Sequence, residues 1–161
     1  MILTVVVMFL TLPLLAPNTY FTLSVERMPV NMPLVYAIAN VESSFDITAN
    51  NDYEMAKGIL QIRECVIIDV NRIFGLNYNH DDVYNPFKAI QIFTLYMKAY
   101  GAKTVRDSIM LWNMGPKAIA YPYYTNSYYN KVMKKYRHYL TVVPNRTTTI
   151  NYHSSLKTEQ L

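Results

Sequence analysis

Between Pro33 and Phe45 the chain reads PLVYAIANVESSF, and Glu42 is its one charged side chain. Val41 precedes it and Phe45 follows three residues on. A glutamate acts as a general acid near neutral pH only when its pKa is raised, and apolar neighbours that disfavour the carboxylate raise it. Glu42 has such neighbours. A helix-end glutamate beside Ser43 and Ser44 also fits a solvated surface position, and the residues alone leave both readings open. Other chemistries have less to work with. Cys65 is the only cysteine, without a disulfide partner or a companion at metal-ligand spacing, and is expected as a small buried apolar residue. His80, His138 and His153 are scattered, and His80-Asp81-Asp82 is a poor metal pattern. No metal site is expected.

The elements that must position Glu42 follow from periodicity. Leu34, Ile38 and Val41 recur at spacings of four and three, and Pro33 suits a first helical turn, so an amphipathic helix starts near Pro33 and carries Glu42 at its end. Residues 46–57, DITANNDYEMAK, are polar and aperiodic and read as a loop or small hairpin. Val66, Ile67, Val70, Ile73 and Phe74 predict a helix from about Arg63 to Phe74, stopped by Gly75. Asn85-Pro86 is a cap and first-turn proline for a helix with Ala89, Ile90, Phe93, Met97 and Tyr100 on its apolar face, ended by Gly101. Thr104 with Asp107 is a capping-box pattern opening a stretch from Val105 to Trp112. A last helix, about Asn126 to Leu140, has Tyr129, Val132, Met133, Tyr136 and Leu140 as its buried stripe.

A chain of 161 residues, 52% apolar and 16% charged, suits one packed domain. Fifteen tyrosines supply flat apolar faces with hydrogen-bonding tips, suited to grooves for polar polymers as well as to core filling. The net charge of +4 comes from Lys131, Lys134, Lys135 and Arg137; elsewhere eleven cations face eleven anions. That cluster fits a solvated helix end complementing the dipole, or a face that meets phospholipid or cell-wall polymer. Nucleic acid is not an expected partner, because no recognised module accompanies the cluster. Residues 1–16, MILTVVVMFLTLPLLA, are uncharged and shorter than the roughly 20 residues that span a bilayer. They read as a secretory signal, an uncleaved anchor or a buried first helix. The expected organisation is a signal or anchor over 1–24, one domain over 30–140, preceded by a connector over 17–32, and a disordered polar tail over 141–161.

Four blocks, ESSF at 42–45, AKGILQI at 56–62, LWNMGP at 111–116 and YTNSYYNKVMKKY at 124–136, resemble in order and spacing the signature blocks of the lytic transglycosylases of the lysozyme-like superfamily. The resemblance spans about residues 33–137. It implies a mainly α, lysozyme-like α+β fold, with a small loop or hairpin region beside the cleft. It also implies cleavage of the β-1,4 bond between MurNAc and GlcNAc in peptidoglycan, with 1,6-anhydro-MurNAc ends, by an exported periplasmic or cell-envelope enzyme that needs no cofactor. By the same resemblance Glu42 is the sole catalytic carboxylate, Ser43 shapes its surroundings, and Gln61 hydrogen-bonds the sugar. Gly58 lets the chain pass close to the groove, Asn113 lines the site, Gly115 permits a tight turn, and Tyr128 reaches back to the glutamate. Trp112 stands where the family usually has tyrosine, losing a hydroxyl but keeping a platform for a sugar ring. Tyr124 replaces a common glutamate. The expected partner is the peptidoglycan glycan strand, the expected state a monomer, with membrane association possible through residues 1–16.

Two further readings stay open. Hydrolysis of the goose-lysozyme type needs a second carboxylate to position water, and Asp46, Asp52 and Glu54 in the following loop are candidates. A wall-binding or assembly protein that keeps the fold without activity fits the changes at Trp112 and Tyr124.

Overall fold

The computed structural model describes residues 24–121, 124–143 and 148–154. Its first helix, α1 (Met32–Ser43), starts where the Asn31 side chain accepts from the Leu34 amide at 3.2 Å and Pro33 sits in the first turn. Leu34, Val35, Ala37, Ile38 and Ala39 are buried on one side. The helix ends without glycine. Ser44 (φ 54°) and Phe45 (φ 69°) are both left-handed, their amides returning to the carbonyls of Asn40 and Ala39. Two such non-glycine residues cost roughly 1–2 kcal/mol each. The stop leaves Glu42 in the final turn.

The polar stretch after α1 is more ordered than its composition suggests. Strands β2 (Asn50–Asn51), β3 (Ala56–Lys57) and β4 (Ile62–Arg63) form a three-stranded antiparallel sheet, with Asn51 opposite Ala56 and Ala56 opposite Arg63. The β3–β4 turn includes Gly58 (φ 73°) and Gln61 (φ 50°). Gly58 is required there: an added Cβ would lie 2.4 Å from the Val83 carbonyl oxygen. The close approach is thus to the 3-10 helix His80–Tyr84, where Val83 is fully buried, and not to the groove as expected from the sequence.

Helix α2 (Glu64–Phe74) follows at once and stops at left-handed Gly75, as its periodicity predicts. Cys65 is exposed, contrary to expectation. Val66, Ile67 and Val70 fill the buried side of α2, which turns Cys65 outward. Helix α3 (Pro86–Ala99) is capped by Asn85 through the amides of Phe87 and Lys88. Its buried side also takes in Ile92, Leu95 and Tyr96, broader than the predicted stripe, because α3 runs through the centre of the core. Helix α4 (Val105–Met114) has both hydrogen bonds of the Thr104–Asp107 capping box and runs two residues beyond Trp112. A 3-10 helix, Pro116–Ala120, follows it.

The last helix, α5 (Ser127–Val142), lies antiparallel to α1: Tyr128 bonds Glu42 at the end of α1, and Tyr136 accepts from the Asn31 side chain at its start. Only Val132 of its predicted stripe is fully buried; Tyr129, Met133 and Tyr136 are half-buried and Leu140 is exposed, because α5 covers the core from outside. The tail expected over 141–161 is corrected in part. α5 reaches Val142, and β5 (Thr148–Ser154) pairs antiparallel with β1 (Ser24–Val30), itself inside the expected connector. Residues 1–23, with the signal or anchor segment, and 155–161 lie outside the described residues. Together the helices and small sheet make the mostly helical α+β arrangement of a lysozyme-like fold. Among the described residues no helix is long and apolar enough to cross a membrane.

Candidate active site

Glu42 opens into a cleft of about 160 Å³ lined by Asn51, Glu54, Gln61, Arg63, Val66 and Trp112. Three elements meet here: the end of α1, the small sheet running into α2, and the last turns of α4. A fourth reaches in from the far end of the chain, where the Tyr128 hydroxyl in the first turn of α5 donates to Glu42 Oε1 at 2.6 Å. Asn126 sets that turn by accepting from the Tyr129 amide at 2.9 Å, and its Nδ2 donates to Asn113 Oδ1 at 2.7 Å. One asparagine thus ties the start of α5 to the end of α4.

The carboxyl of Glu42 is half-buried, and burial lifts its pKa above the ordinary 4.5. Donation from Tyr128 and the positive charge of Arg63 pull the other way, with a smaller pull from the Trp112 indole, while the negative charge of Glu54 adds to the rise. Desolvation wins. The Tyr128 hydroxyl is itself pushed far up, by burial first and then by the charge on Glu42, so it stays a donor at any physiological pH.

Each predicted residue has a definite place. Glu42, Gln61 and Trp112 line the cleft, and Tyr128 joins them through its hydrogen bond. Gln61 Nε2 donates to the carbonyls of Gly58 at 3.0 Å and Ala49 at 3.3 Å, bracing the sheet from within its turn. Ser43 Oγ donates to the Ile59 carbonyl at 2.8 Å, pinning the end of α1 to the same turn. Asn113 stands behind the cleft wall, its carbonyl 3.5 Å from Arg63 Nη2. Gly115 (φ 77°, ψ −172°) turns the chain out of α4 in a conformation essentially confined to glycine. Gly58 packs against Val83, so its part is structural. The Trp112 ring is wedged edge-to-face against Phe93 (4.9 Å between centroids) and Tyr96 (6.1 Å), which fixes its plane at the cleft wall.

Sequence reasoning passed over Arg63. It is half-exposed in the cleft, 3.9 Å from Glu54 Oε2, and bridges the sheet to the end of α4. The only available signal was nearness in sequence to Gln61, because Gln61 lies in the β3–β4 turn, outside strand β4, and strand alternation does not link the two. Of the three carboxylates weighed for a second role, Glu54 lines the cleft with Glu42. Asp46 instead caps the amide and hydroxyl of Thr48, at 2.8 and 2.7 Å. Asp52 accepts from Asn50 at 2.7 Å and lies on a separate hollow with His80 and Asp81. Among the described residues no group of three or more His, Cys, Asp or Glu is placed to hold a metal ion.

The arrangement suits proton donation: one half-desolvated carboxyl, one oxygen held by a phenol, a cation beside it and an aromatic wall. A family model described as the transglycosylase SLT domain matches residues 20–137. Neither the curated proteins nor the solved structures include a significant match.

Proposed function

We propose, from the premise that this chain belongs to the transglycosylase SLT domain family, that it cleaves the β-1,4 bond between MurNAc and GlcNAc in peptidoglycan and leaves 1,6-anhydro-MurNAc ends. The observation that carries this reading is the half-buried Glu42 carboxyl with raised pKa, held by Tyr128 at the wall of a cleft. With Oε1 engaged by the phenol, the proton is delivered from Oε2 to the glycosidic oxygen as the C1–O bond breaks. The carboxylate left behind then takes the proton of the sugar's C6 hydroxyl while O6 bonds to C1, which closes the anhydro ring and restores the acid. No water is consumed.

The oxocarbenium-like transition state asks for negative charge beside it and for a fixed sugar ring. Glu42, once ionised, answers the first, and the Trp112 platform answers the second. Gln61 has its amide N–H groups committed to backbone, so its oxygen is the end offered to sugar hydroxyl or amide donors. The cleft is smaller than the roughly 300–1,000 Å³ of an enclosed ligand site. It takes the reacting end of one ring, and the rest of the strand lies over the open surface.

Glu54 favours a second reading. It shares the cleft with Glu42, so an inverting hydrolysis with Glu54 as the base that activates water is the alternative. Digestion of purified sacculi with mass spectrometry of the soluble fragments separates the two. Anhydro-muropeptides from wild type and from Glu54→Gln, with none from Glu42→Gln, support transglycosylation. Reducing-end products that vanish in Glu54→Gln would replace it with hydrolysis, and no release by wild type would leave a wall-binding role.

A further inference from the structure

We infer that the exposed side of α5 is a docking face for an anionic lipid bilayer. Lys131, Lys134, Lys135, His138 and Val142 follow the i, i+3, i+4, i+7, i+11 spacing that puts side chains on one face of a helix, and all five are exposed. Arg137 extends the charge along the flank. None of the Lys131, Lys134, Lys135 and Arg137 side chains has an ion pair or hydrogen bond among the described residues. α5 contains no acidic residue, and its partner α1 contains one, Glu42, which is turned into the cleft. Within the α1–α5 pair, among the described residues, the face is therefore positive without compensation.

Aromatic groups border the cations. Tyr36 of α1, Phe45 just after it and Tyr139 of α5 form a ring cluster with centroids 5.8–6.2 Å apart. Tyr36 and Phe45 are each 36% exposed, and Val142 is 56% exposed. Lysine stems and tyrosine rings combine an apolar body with a polar tip, which fits the headgroup boundary of a bilayer better than free solvent. A hydrated anionic polymer would match the charge, and its sugars the rings, but it would leave Val142 in water. Lys131 lies one turn from Tyr128, so the face runs from the cleft edge to Val142 at the far end of α5.

Each cation near an anionic leaflet contributes about fivefold in partition, an effect that fades with salt. The test is co-sedimentation of the full chain with phosphatidylcholine vesicles, with and without phosphatidylglycerol, at low and high salt. Any binding by the uncharged N-terminal sequence is common to both compositions, so the readout is the ratio between them. Wild type should favour the anionic vesicles by at least about tenfold at low salt. The triple variant Lys131→Glu, Lys134→Glu, Lys135→Glu, with fold checked by circular dichroism, should lose that preference. Equal partition of wild type onto both compositions would overturn the inference, as would an unchanged ratio in the folded variant. Retention on an anionic wall polymer that depends on the three lysines, with no preference among vesicles, would overturn it in favour of polymer. None of these outcomes depends on glycan cleavage, so the inference stands or falls separately from the proposed reaction.

Discussion

The Tyr128 hydroxyl donates a 2.6 Å hydrogen bond to Glu42 Oε1 across a sequence separation of 86 residues. It joins the last turn of α1 to the first turn of α5 and acts directly on the protonation of the carboxyl proposed as the acid, opposing the effect of burial. Removing the hydroxyl leaves that carboxyl less well solvated. Tyr128→Phe should lower kcat/KM by about 10- to 100-fold, the range for a hydrogen bond to a charged group. Because the bond holds the Glu42 pKa down, the alkaline limb of the pH–rate profile should move up. A slower enzyme with an unmoved limb would assign Tyr128 to packing.

The charges beside Glu42 have opposite effects on it. Arg63 lowers its pKa and Glu54 raises it. A general acid works in its protonated form, so the alkaline limb follows that pKa. Arg63→Gln should shift the limb to higher pH and Glu54→Gln to lower pH, measured as kcat/KM on sacculi across the neutral range. Shifts of the same sign in both variants would contradict this placement of the two charges.

Burial of Glu42 carries a stability cost. Its folded-state pKa lies above the ordinary 4.5, so the folded chain holds the proton more tightly than the unfolded chain. The resulting stability is complete below the unfolded value and is lost as pH rises through the folded value. Glu42→Gln stays neutral throughout. It should melt higher than wild type at neutral pH, by about 2–4 °C for each kcal/mol relieved, with the difference shrinking as the pH drops below the ordinary value. Calorimetry at neutral and acid pH checks the trend.

Gly58 and Gly115 should fail for different reasons. At Gly58 an alanine Cβ meets the Val83 carbonyl oxygen at 2.4 Å and the backbone is left-handed, so Gly58→Ala should cost at least about 2 kcal/mol by denaturant unfolding. At Gly115 an added Cβ meets nothing within 4 Å. Gly115→Ala should cost about 1–3 kcal/mol from backbone strain alone, with no contribution from neighbouring atoms.

Ser43 gives the smallest expected effect. Its hydroxyl links α1 to the Ile59 carbonyl at 2.8 Å, and Ser43→Ala should destabilise the domain by about 1 kcal/mol. KM for soluble glycan fragments should change less than the unfolding midpoint.

Much of the helix pattern was legible before any coordinates, because its signals are local. Gly75, the Asn85-Pro86 pair and the Thr104–Asp107 box each act within one turn of the backbone they terminate or cap. Burial was less legible. Cys65 is turned outward and Leu140 exposed, outcomes set by which side of α2 and α5 meets the core. The β1–β5 pairing joins segments more than a hundred residues apart, neither with a strong strand pattern. The candidate site divides in the same way. Glu42, Gln61, Trp112 and Tyr128 could be named from block resemblance, whereas Arg63 and the sharing of the cleft by Glu54 emerged from packing.

The amino-acid sequence alone determined roughly where the helices of this protein run, since caps, glycine stops and apolar spacing are read within a few residues, and the block resemblance singled out one carboxyl as the candidate acid. Tertiary structure alone decided what surrounds that carboxyl. A pKa depends on charges and donors within a few ångströms, and Tyr128, Trp112, Arg63 and Glu54 reach Glu42 from four different segments only when the helices and the small sheet close around one core.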